Sequence, residues 1–467
     1  MSETRALLWV GFKAFLIALI LTPVIRDIFR AYNVVDRPGR RKVHAFPIPR
    51  VGGIAIALAY AAALISFSDP GSSLPAHDSP SWKLIPGAAI IFLTGLIDDF
   101  FNLRPVWKLL GQVAAAGVVF YEGLRIDAVS RFPLPNWLSL LVTVLWLLLC
   151  SNAFNLIDGL DGLCTGTGLV ATLALFVAAV IQNNAALAHA TLPLAGALLG
   201  FLCYNFSPAT VFLGDSGALL IGFLLGCYGM IWTTKTATLL SVTVPLLALS
   251  VPLFEVILSV SRRFLRRQPI FSADRGHIHH RLIDLGLSPR GAVLSMYLAG
   301  LVAAAFALLL SRPTWSLLQG ILIVAFGLIA WAGIWRLRYA EFEVAGRLFF
   351  GGEFQRALGA KVRTAQLSAA LERCRTEEQW WTALLNAARE AGCIRVMWSA
   401  PHGNREQVFA PGAARWSFRV IVSDQESVQL DGTLPASGPP ADLIGFAEAL
   451  GGSLAGKRHQ WEQPALP

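Results

Sequence analysis

The chain has 467 residues, of which 55% are hydrophobic and only 14% charged, against about 25% charged in ordinary globular domains. With a mean hydropathy of +0.58, this excludes a disordered chain and a single water-soluble domain, and indicates a polytopic membrane protein. The net charge of +9 belongs wholly to residues 1–337, which hold 24 basic and 15 acidic side chains, whereas residues 338–467 hold 14 of each. The chain therefore divides near residue 337. No nucleic-acid partner is expected, because the basic excess lies among apolar stretches.

Taken in chain order, eleven apolar stretches suit membrane-spanning helices, at about 6–25, 51–67, 84–101, 109–121, 137–154, 163–181, 186–204, 211–232, 237–260, 292–311 and 315–335. The first is too long for a cleavable signal, and no small-residue cleavage site follows it before the basic cluster. Lys13 within it must either snorkel to a surface or face the bundle. Eleven spans place the two ends on opposite sides. With the N-terminus outside, 17 of the 24 basic residues of this part fall on the inner side, as the positive-inside rule requires. Residues 338–467 are then cytoplasmic. The six cysteines have no CxxC spacing and four lie in or beside apolar runs, so neither a disulfide framework nor a zinc site is expected.

Five polar clusters fall on that same inner side. They are Asp36-Arg37-Pro38-Gly39 through Arg50-Val51-Gly52-Gly53, Asp98-Asp99, Asn155 to Gly162, Gly214-Asp215-Ser216-Gly217, and His277 to Arg281. Acidic residues at a membrane boundary are costly unless paired, hydrated or metal-bound. Asp98-Asp99 ends an apolar run, and Asn155, Asp158 and Asp161 recur every third residue between two spans with no Lys or Arg among them. A turn explains any one such loop. Together, carboxylate and amide oxygens without basic neighbours suit a hard cation such as Mg²⁺. His277, His279, His280 and Arg281 lie in a loop that also carries Arg262, Arg263, Arg266, Arg267 and Arg275, which suggests a phosphate clamp and also serves as a topogenic signal. Zinc binding by the histidines is disfavoured by their spacing and by the surrounding cations. The clusters point to metal-assisted phosphoryl chemistry at the inner membrane face, on anionic substrates of which one is membrane-borne.

Five motifs in this order resemble those of the polyprenyl-phosphate N-acetylhexosamine-1-phosphate transferases: Asp36-Arg37-Pro38 with Arg50-Val51-Gly52-Gly53; Gly95 to Asp99 with Lys108 and Gln112; Asn152 to Leu163; Phe212 to Gly217; and Gly276 to Leu282. The resemblance covers about residues 10–335. It implies transfer of a sugar-1-phosphate from a UDP-N-acetylhexosamine to undecaprenyl phosphate, with release of UMP and use of Mg²⁺ or Mn²⁺, as the first membrane step of a cell-envelope glycopolymer. The sister enzyme of peptidoglycan synthesis, the phospho-N-acetylmuramoyl-pentapeptide transferase, typically carries a triple His followed by an acidic residue. His277-Ile278-His279-His280-Arg281 resembles instead the bacterial branch that uses UDP-N-acetylglucosamine.

By the same resemblance, Asp215 and Asn155 are metal ligands, and Asp98, Asp99, Asp158 and Asp161 are catalytic carboxylates. Asp98 and Asp99 would lie near the lipid phosphate, while a metal role and a nucleoside role stay open for Asp158 and Asp161. Arg50, Lys108, His277, His279, His280 and Arg281 would bind substrate. Glu255 stands where relatives commonly have Asp, with a structural role implied. Two schemes are open, a covalent phospho-sugar on an Asp or direct attack by the lipid phosphate. Direct attack is favoured, because a phosphate monoester with a second pKa of about 6 is already mostly dianionic near pH 7.

The remaining chain reads as a linker at 338–363, with Gly351-Gly352, followed by a small cytoplasmic α+β domain at 364–467. Thr364–Ala391 has helical spacing, Ile394–Ser399 and Trp416–Val422 read as strands, and Asp442–Ala455 as a closing helix. The order weakly resembles a GAF-type sensor fold. Family members mostly end near the last span, so this domain is an addition, expected to serve oligomerisation, such as a homodimer, or partner docking. The expected architecture is thus an all-α polytopic protein of the cell inner (plasma) membrane with a cytoplasmic active site.

A transporter would also use many helices and intramembrane carboxylates, but with ionisable residues on both sides of the midplane and matching halves. A mere membrane anchor would need no inner-face carboxylates. The orientation is checked with single cysteines, Pro75→Cys and Ala400→Cys, in a background without native cysteines. Position 75 should label from outside intact cells and position 400 only after permeabilisation. Labelling of position 400 from outside would remove the one-sided site.

Overall fold

The computed structural model describes residues 3–36, 47–65, 80–129, 132–233, 242–265, 276–311, 316–337, 339, 367–390, 393–401, 403–411, 416–423, 426–432 and 450. The chain forms two compact units, residues 1–338 and 339–467.

The first unit is helical: α1 (Glu3–Ala31), α2 (Gly52–Ile65), the short α3 (Pro80–Lys83), α4 (Ile85–Phe101), α5 (Pro105–Tyr121), α6 (Asn136–Ile157), α7 (Leu163–Ile181), α8 (Ala185–Asn205), α9 (Gly214–Thr233), α10 (Thr243–Ala248), α11 (Ser250–Leu265), the short α12 (Ile278–Asp284), α13 (Pro289–Ser311) and α14 (Ser316–Arg336). A two-residue hairpin, β1 (Ala128–Val129) with β2 (Phe132–Pro133), lies between α5 and α6. Among the described residues, seven helices are long and apolar enough to cross a membrane: α1, α6, α7, α8, α9, α13 and α14. Helix falls on every one of the eleven expected stretches, but α2, α4 and α5 have only 14, 17 and 17 residues. The ninth stretch is divided at Leu249 into α10 and α11, and residues 234–241 lie outside the described residues.

Several boundaries differ from the sequence reading for local reasons. α1 runs past residue 25 to Ala31, so Arg26 and Arg30 sit on helix rather than in a loop. Lys13 is exposed, which turns it away from the bundle. α5 starts at Pro105, whose fixed φ suits a first helical position, and this places Lys108 in the first turn. α4 carries Asp98 and Asp99 inside its last turn and ends at Asn102 in the left-handed conformation (φ 48°). Arg262 and Arg263 belong to the last turn of α11 and are buried, not displayed on a loop. Arg266, Arg267 and Arg275, together with Arg37-Pro38-Gly39, lie outside the described residues.

α9 is the centre of the unit. Every residue from Ser216 to Trp232 is buried, with α2, α4, α6, α7, α8 and α10 packed around it. A helix apolar all round suits such a core position. Its approach to α4 is close because Gly95 has no side chain: a Cβ there would stand 2.6 Å from the Ser216 Cα. Small residues are what allow helices to pack so closely in a membrane. Two polar groups deep in this core are paired across helices. Trp146 Nε1 donates to the Gly226 carbonyl (2.9 Å), and the Tyr228 hydroxyl donates to the Ala190 carbonyl (2.8 Å) beside the Tyr60 hydroxyl (3.0 Å).

The second unit is α+β. Helices at 367–373 and Glu377–Glu390 accompany a four-stranded antiparallel sheet of β3 (Cys393–Ala400), β4 (Gly403–Val408), β5 (Trp416–Ser423) and β6 (Glu426–Gly432), ordered β4-β3-β6-β5. Its core joins Leu371, Trp380 and Leu384 to Val396, Trp398, Val428 and Leu430. The Trp380 and Trp398 rings lie 5.0 Å apart, and Trp398 Nε1 donates to Glu426 (3.0 Å). The expected single helix is broken around Arg375, and β4 and β6 are additional to the two expected strands. β4 is a polar, exposed edge strand, so it carries no apolar alternation to read. The expected linker lies outside the described residues, as does the closing helix except for the buried, helical Leu450.

Gly95→Ala should force α4 from α9 and cost roughly 1–3 kcal/mol, seen as a fall of several degrees in the melting temperature in detergent. Gly117 on α5 has open space where a Cβ would go, so Gly117→Ala should melt at or slightly above the wild type. Equal melting of the two variants would contradict this account of the α4–α9 contact.

Candidate active site

The clusters that the sequence places far apart meet where the C-terminal ends of α4 and α6 adjoin the N-terminal ends of α5 and α9. The first cluster arrives through a short bridge. Phe212 N–H donates to the Pro49 carbonyl, and Gly52 and Gly53 N–H donate to the Phe212 and Leu213 carbonyls, each at 2.9 Å. This lays Arg50 beside the start of α9, with its guanidinium 3.7 Å from Asp215 Oδ1.

Asp99 closes the same start from the other side. Its carboxylate accepts from Asp215 N–H (2.7 Å), Ser216 N–H (3.0 Å) and the Ser216 hydroxyl (2.6 Å). The first amides of a helix lack partners within it, and a carboxylate there also answers the helix dipole. Asp99 thus positions Asp215 by capping α9 from α4. Ser216, quoted in the motif but given no role by the sequence reading, supplies two of the three donors.

Asp98 lies one residue earlier and turns elsewhere. Its Oδ1 accepts from Leu103 N–H (2.7 Å) and its Oδ2 from Lys108 Nζ (3.1 Å). The same ammonium donates to Asn155 Oδ1 (3.1 Å) and to Asp215 Oδ2. Three side-chain oxygens from α4, α6 and α9 therefore converge on one cation from α5. One turn further along, Gln112 and Asn152 exchange amide hydrogen bonds (2.7 and 3.3 Å), joining α5 to α6.

The loop after α6 carries the other two carboxylates. Asp161 accepts from Ala209 N–H (3.0 Å), which ties this loop to the one before α9. Burial pushes the Asp158 carboxyl up to about 7, with Asp215, Asp99 and Asp161 adding to the rise and Arg50 opposing it. Lys108 meets Asp98 and Asp215, and Arg50 lies near Asp215 and Asp158.

The histidine segment docks on the same loop. A Cβ at Gly159 would stand 2.8 Å from His279 Nε2, so only glycine admits this ring. His279 is buried and stacks parallel to His277, with centroids 5.5 Å apart, and its Nδ1 has no hydrogen-bond partner among the described residues. Burial, with His280 and His277 nearby, lowers the His279 pKa to about 3. The ring is therefore neutral near pH 7 and acts as a hydrogen-bonding group rather than a charge. His280 and Arg281 are half-buried on α12, with the His280 ring 4.4 Å from that of His279. His277 Nδ1 meets Glu255 on α11 at 2.7 Å. The sequence signal for Glu255 was an acidic residue within an apolar run.

The oxygens of Asp98, Asn155 and Asp215 suit a hard divalent cation, and the surplus of carboxylates is what such a charge would offset. Among the described residues no three His, Cys, Asp or Glu side chains form a ready cage. Lys108 stands where the oxygens meet.

The fold and site define a helical membrane protein with an acidic, cation-bridged centre at the helix ends. Residues 81–233 match the family model described as glycosyl transferase family 4. Over 305 residues the chain is 36% identical to a probable undecaprenyl-phosphate N-acetylglucosaminyl 1-phosphate transferase of Bacillus subtilis, covering 64% of this chain and 83% of that protein. It is 33% identical to a decaprenyl-phosphate N-acetylglucosaminephosphotransferase of Mycolicibacterium smegmatis, covering 68% of this chain and 86% of the relative. It is 31% identical to a phospho-N-acetylmuramoyl-pentapeptide-transferase of Desulforudis audaxviator, covering 63% and 95%. The chain belongs to glycosyl transferase family 4, among the polyprenyl-phosphate sugar-phosphate transferases.

The neutral, buried His279 links stability to pH. Its folded pKa of about 3 lies below the ordinary value of 6.5, so the unfolded chain binds more protons between them and stability falls as pH drops through that window. At about 1.36 kcal/mol per pH unit per proton, acidification from about pH 6.5 to 4.5 should remove about 2 kcal/mol. Melting temperatures in detergent should therefore fall more steeply over this range for the wild type than for His279→Gln. Parallel curves would contradict the assignment.

Proposed function

We propose that the chain transfers N-acetylglucosamine-1-phosphate, or a related N-acetylhexosamine-1-phosphate, from its UDP derivative to undecaprenyl phosphate. It does so as a multi-pass protein of the plasma membrane, with eleven crossings, the N-terminus outside, and the active site and residues 339–467 in the cytoplasm. The observation that carries the reading is the convergence of Asp98, Asn155 and Asp215 on Lys108, with Arg50 alongside. The names and coverage of the relatives support the substrate class.

The reaction moves one phosphoryl group. An oxygen of the lipid phosphate forms a bond to the sugar-bearing phosphorus, the bond from that phosphorus to the UMP oxygen breaks, and UMP leaves with that electron pair. The attacking monoester is mostly dianionic near pH 7, so it needs orientation more than deprotonation. Lys108 and Arg50 supply cationic donors for phosphate oxygens, and Asp98 fixes the Lys108 ammonium by accepting from it. Asp99 and Asp161 act through the backbone, holding the start of α9 and the loop before it. His279, His280 and Arg281 are hydrogen-bond donors for the diphosphate or sugar. Mg²⁺ or Mn²⁺, held by Asp215 and Asn155, would supply charge neutralisation for the phosphates. Asp158, a buried carboxyl raised further by Asp215, Asp99 and Asp161, would gain from that charge.

The test is direct. Purified protein is incubated with radiolabelled UDP-N-acetylglucosamine or UDP-N-acetylgalactosamine, undecaprenyl phosphate and Mg²⁺, and lipid-linked sugar and UMP are measured. Both should form in equal amounts. Asp215→Ala should lower the rate at least about a hundredfold, the scale of lost electrostatic stabilisation. Undiminished turnover in Asp215→Ala, or with all divalent metal chelated, would remove this mechanism.

A further inference from the structure

α11 is a largely apolar helix with one acidic residue, Glu255, and that residue is fully buried. A carboxylate in such surroundings is costly unless its oxygens are occupied. One short segment occupies both. Oε1 meets the His277 ring at Nδ1 (2.7 Å) and accepts from the Ile278 N–H (3.0 Å), and Oε2 accepts from the same N–H (3.0 Å). The backbone N–H of Ile278 reaches both oxygens, so both serve as acceptors there. With the carboxylate as acceptor, the Nδ1–H tautomer of His277 completes the pair and leaves Nε2 for another partner.

These bonds do more than satisfy a buried acid. His277 precedes α12 in an extended conformation and makes no side-chain cap of its own, so Glu255 caps α12 from a neighbouring helix. The His277 ring lies parallel to that of His279, and His279 fits over Gly159 in the acidic loop. Glu255, His277, His279 and Gly159 thus form a continuous path from α11 to the carboxylates. Among the described residues, charged or titratable groups about His277 include His280, with its ring 6.2 Å away, and Arg262, which packs on Gly276.

We propose that Glu255 is a positioning residue for the transfer reaction: it holds the His277 ring as the Nδ1–H form and sets α12 against the acidic loop, so that the histidine segment meets the diphosphate of the sugar nucleotide. The inference rests on the sugar-1-phosphate transferase reading. It assigns Glu255 to the nucleotide substrate and not to the lipid, because the groups it holds directly are those of the histidine segment, the His277 ring and the Ile278 N–H.

The full-length protein in detergent tests this with Glu255→Ala, Glu255→Asp and Glu255→Gln. Gln keeps an oxygen at the same reach without charge, and Asp keeps the charge with one methylene less. In Glu255→Ala, KM for the UDP-sugar should rise at least tenfold and kcat fall, while KM for undecaprenyl phosphate stays within twofold. Glu255→Asp should recover part of the loss. Glu255→Gln should fold and show an intermediate KM, which keeps the test informative if Glu255→Ala does not fold.

Nitrogen-15 spectra of labelled histidine, with the His277 signal identified by its loss in His277→Gln, should show Nδ1–H in the wild type and a shift from it in Glu255→Gln. Variants with unchanged KM and kcat per folded molecule, or with both KM values raised equally, would overturn the positioning role. An unchanged His277 signal in Glu255→Gln would do so as well. A wild-type protein that forms no lipid-linked sugar would overturn the transferase reading instead. The spectrum, which needs no substrate, would then decide the Glu255–His277 pairing by itself.

Discussion

Three hydrogen bonds at the start of α9 hold the site and the bundle together. α9 is buried along nearly its whole length, so the amides of its first turn have little water to turn to. Asp99 takes two of them and the Ser216 hydroxyl. A charged acceptor at a helix N-terminus is stabilising, and more so where water is scarce. The consequence is geometric. Once α4 and α9 are joined there, and Gly95 permits their close contact, the Asp215 side chain is delivered to Lys108.

The five carboxylates then separate by the company they keep. Asp99 is committed to α9, and Asp161 to the Ala209 N–H of the preceding loop. Asp98 divides itself between Leu103 N–H and Lys108. Asp215 faces Lys108 and Arg50, whereas Asp158 has three acidic neighbours opposed by Arg50. Residues alike in the sequence are unlike in electrostatic situation. Those whose oxygens are held by backbone amides act by placement, and those near side-chain cations can respond to incoming phosphate.

The histidine segment shows the same economy at the opposite edge. α12 has only seven residues, too few to be stable by itself. It is fixed by Glu255 at its start and by the fit of His279 over Gly159. His279, neutral because it is buried, can approach the acidic loop without bringing a charge that would have to be desolvated. The second unit has its own core around Trp380 and Trp398.

The sequence by itself determined the class. Apolar stretches of spanning length, a basic excess confined to residues 1–337, and five ordered motifs are properties of composition and spacing, which need no coordinates. Local rules also placed helix on the apolar stretches of the first unit and two strands in the second. Tertiary structure decided what each acidic residue does. Asp98 and Asp99 are neighbours in sequence, yet one serves Lys108 and the other α9, because successive side chains on a helix point about 100° apart and meet different partners. Likewise, nothing near Glu255 in the chain indicates His277, 22 residues away. The edge strand β4 was hidden for a related reason: its pairing with β3 is made by the backbone, while its exposed side chains carry no apolar period. Sequence pattern records which groups avoid water; which groups meet is fixed only when distant segments pack.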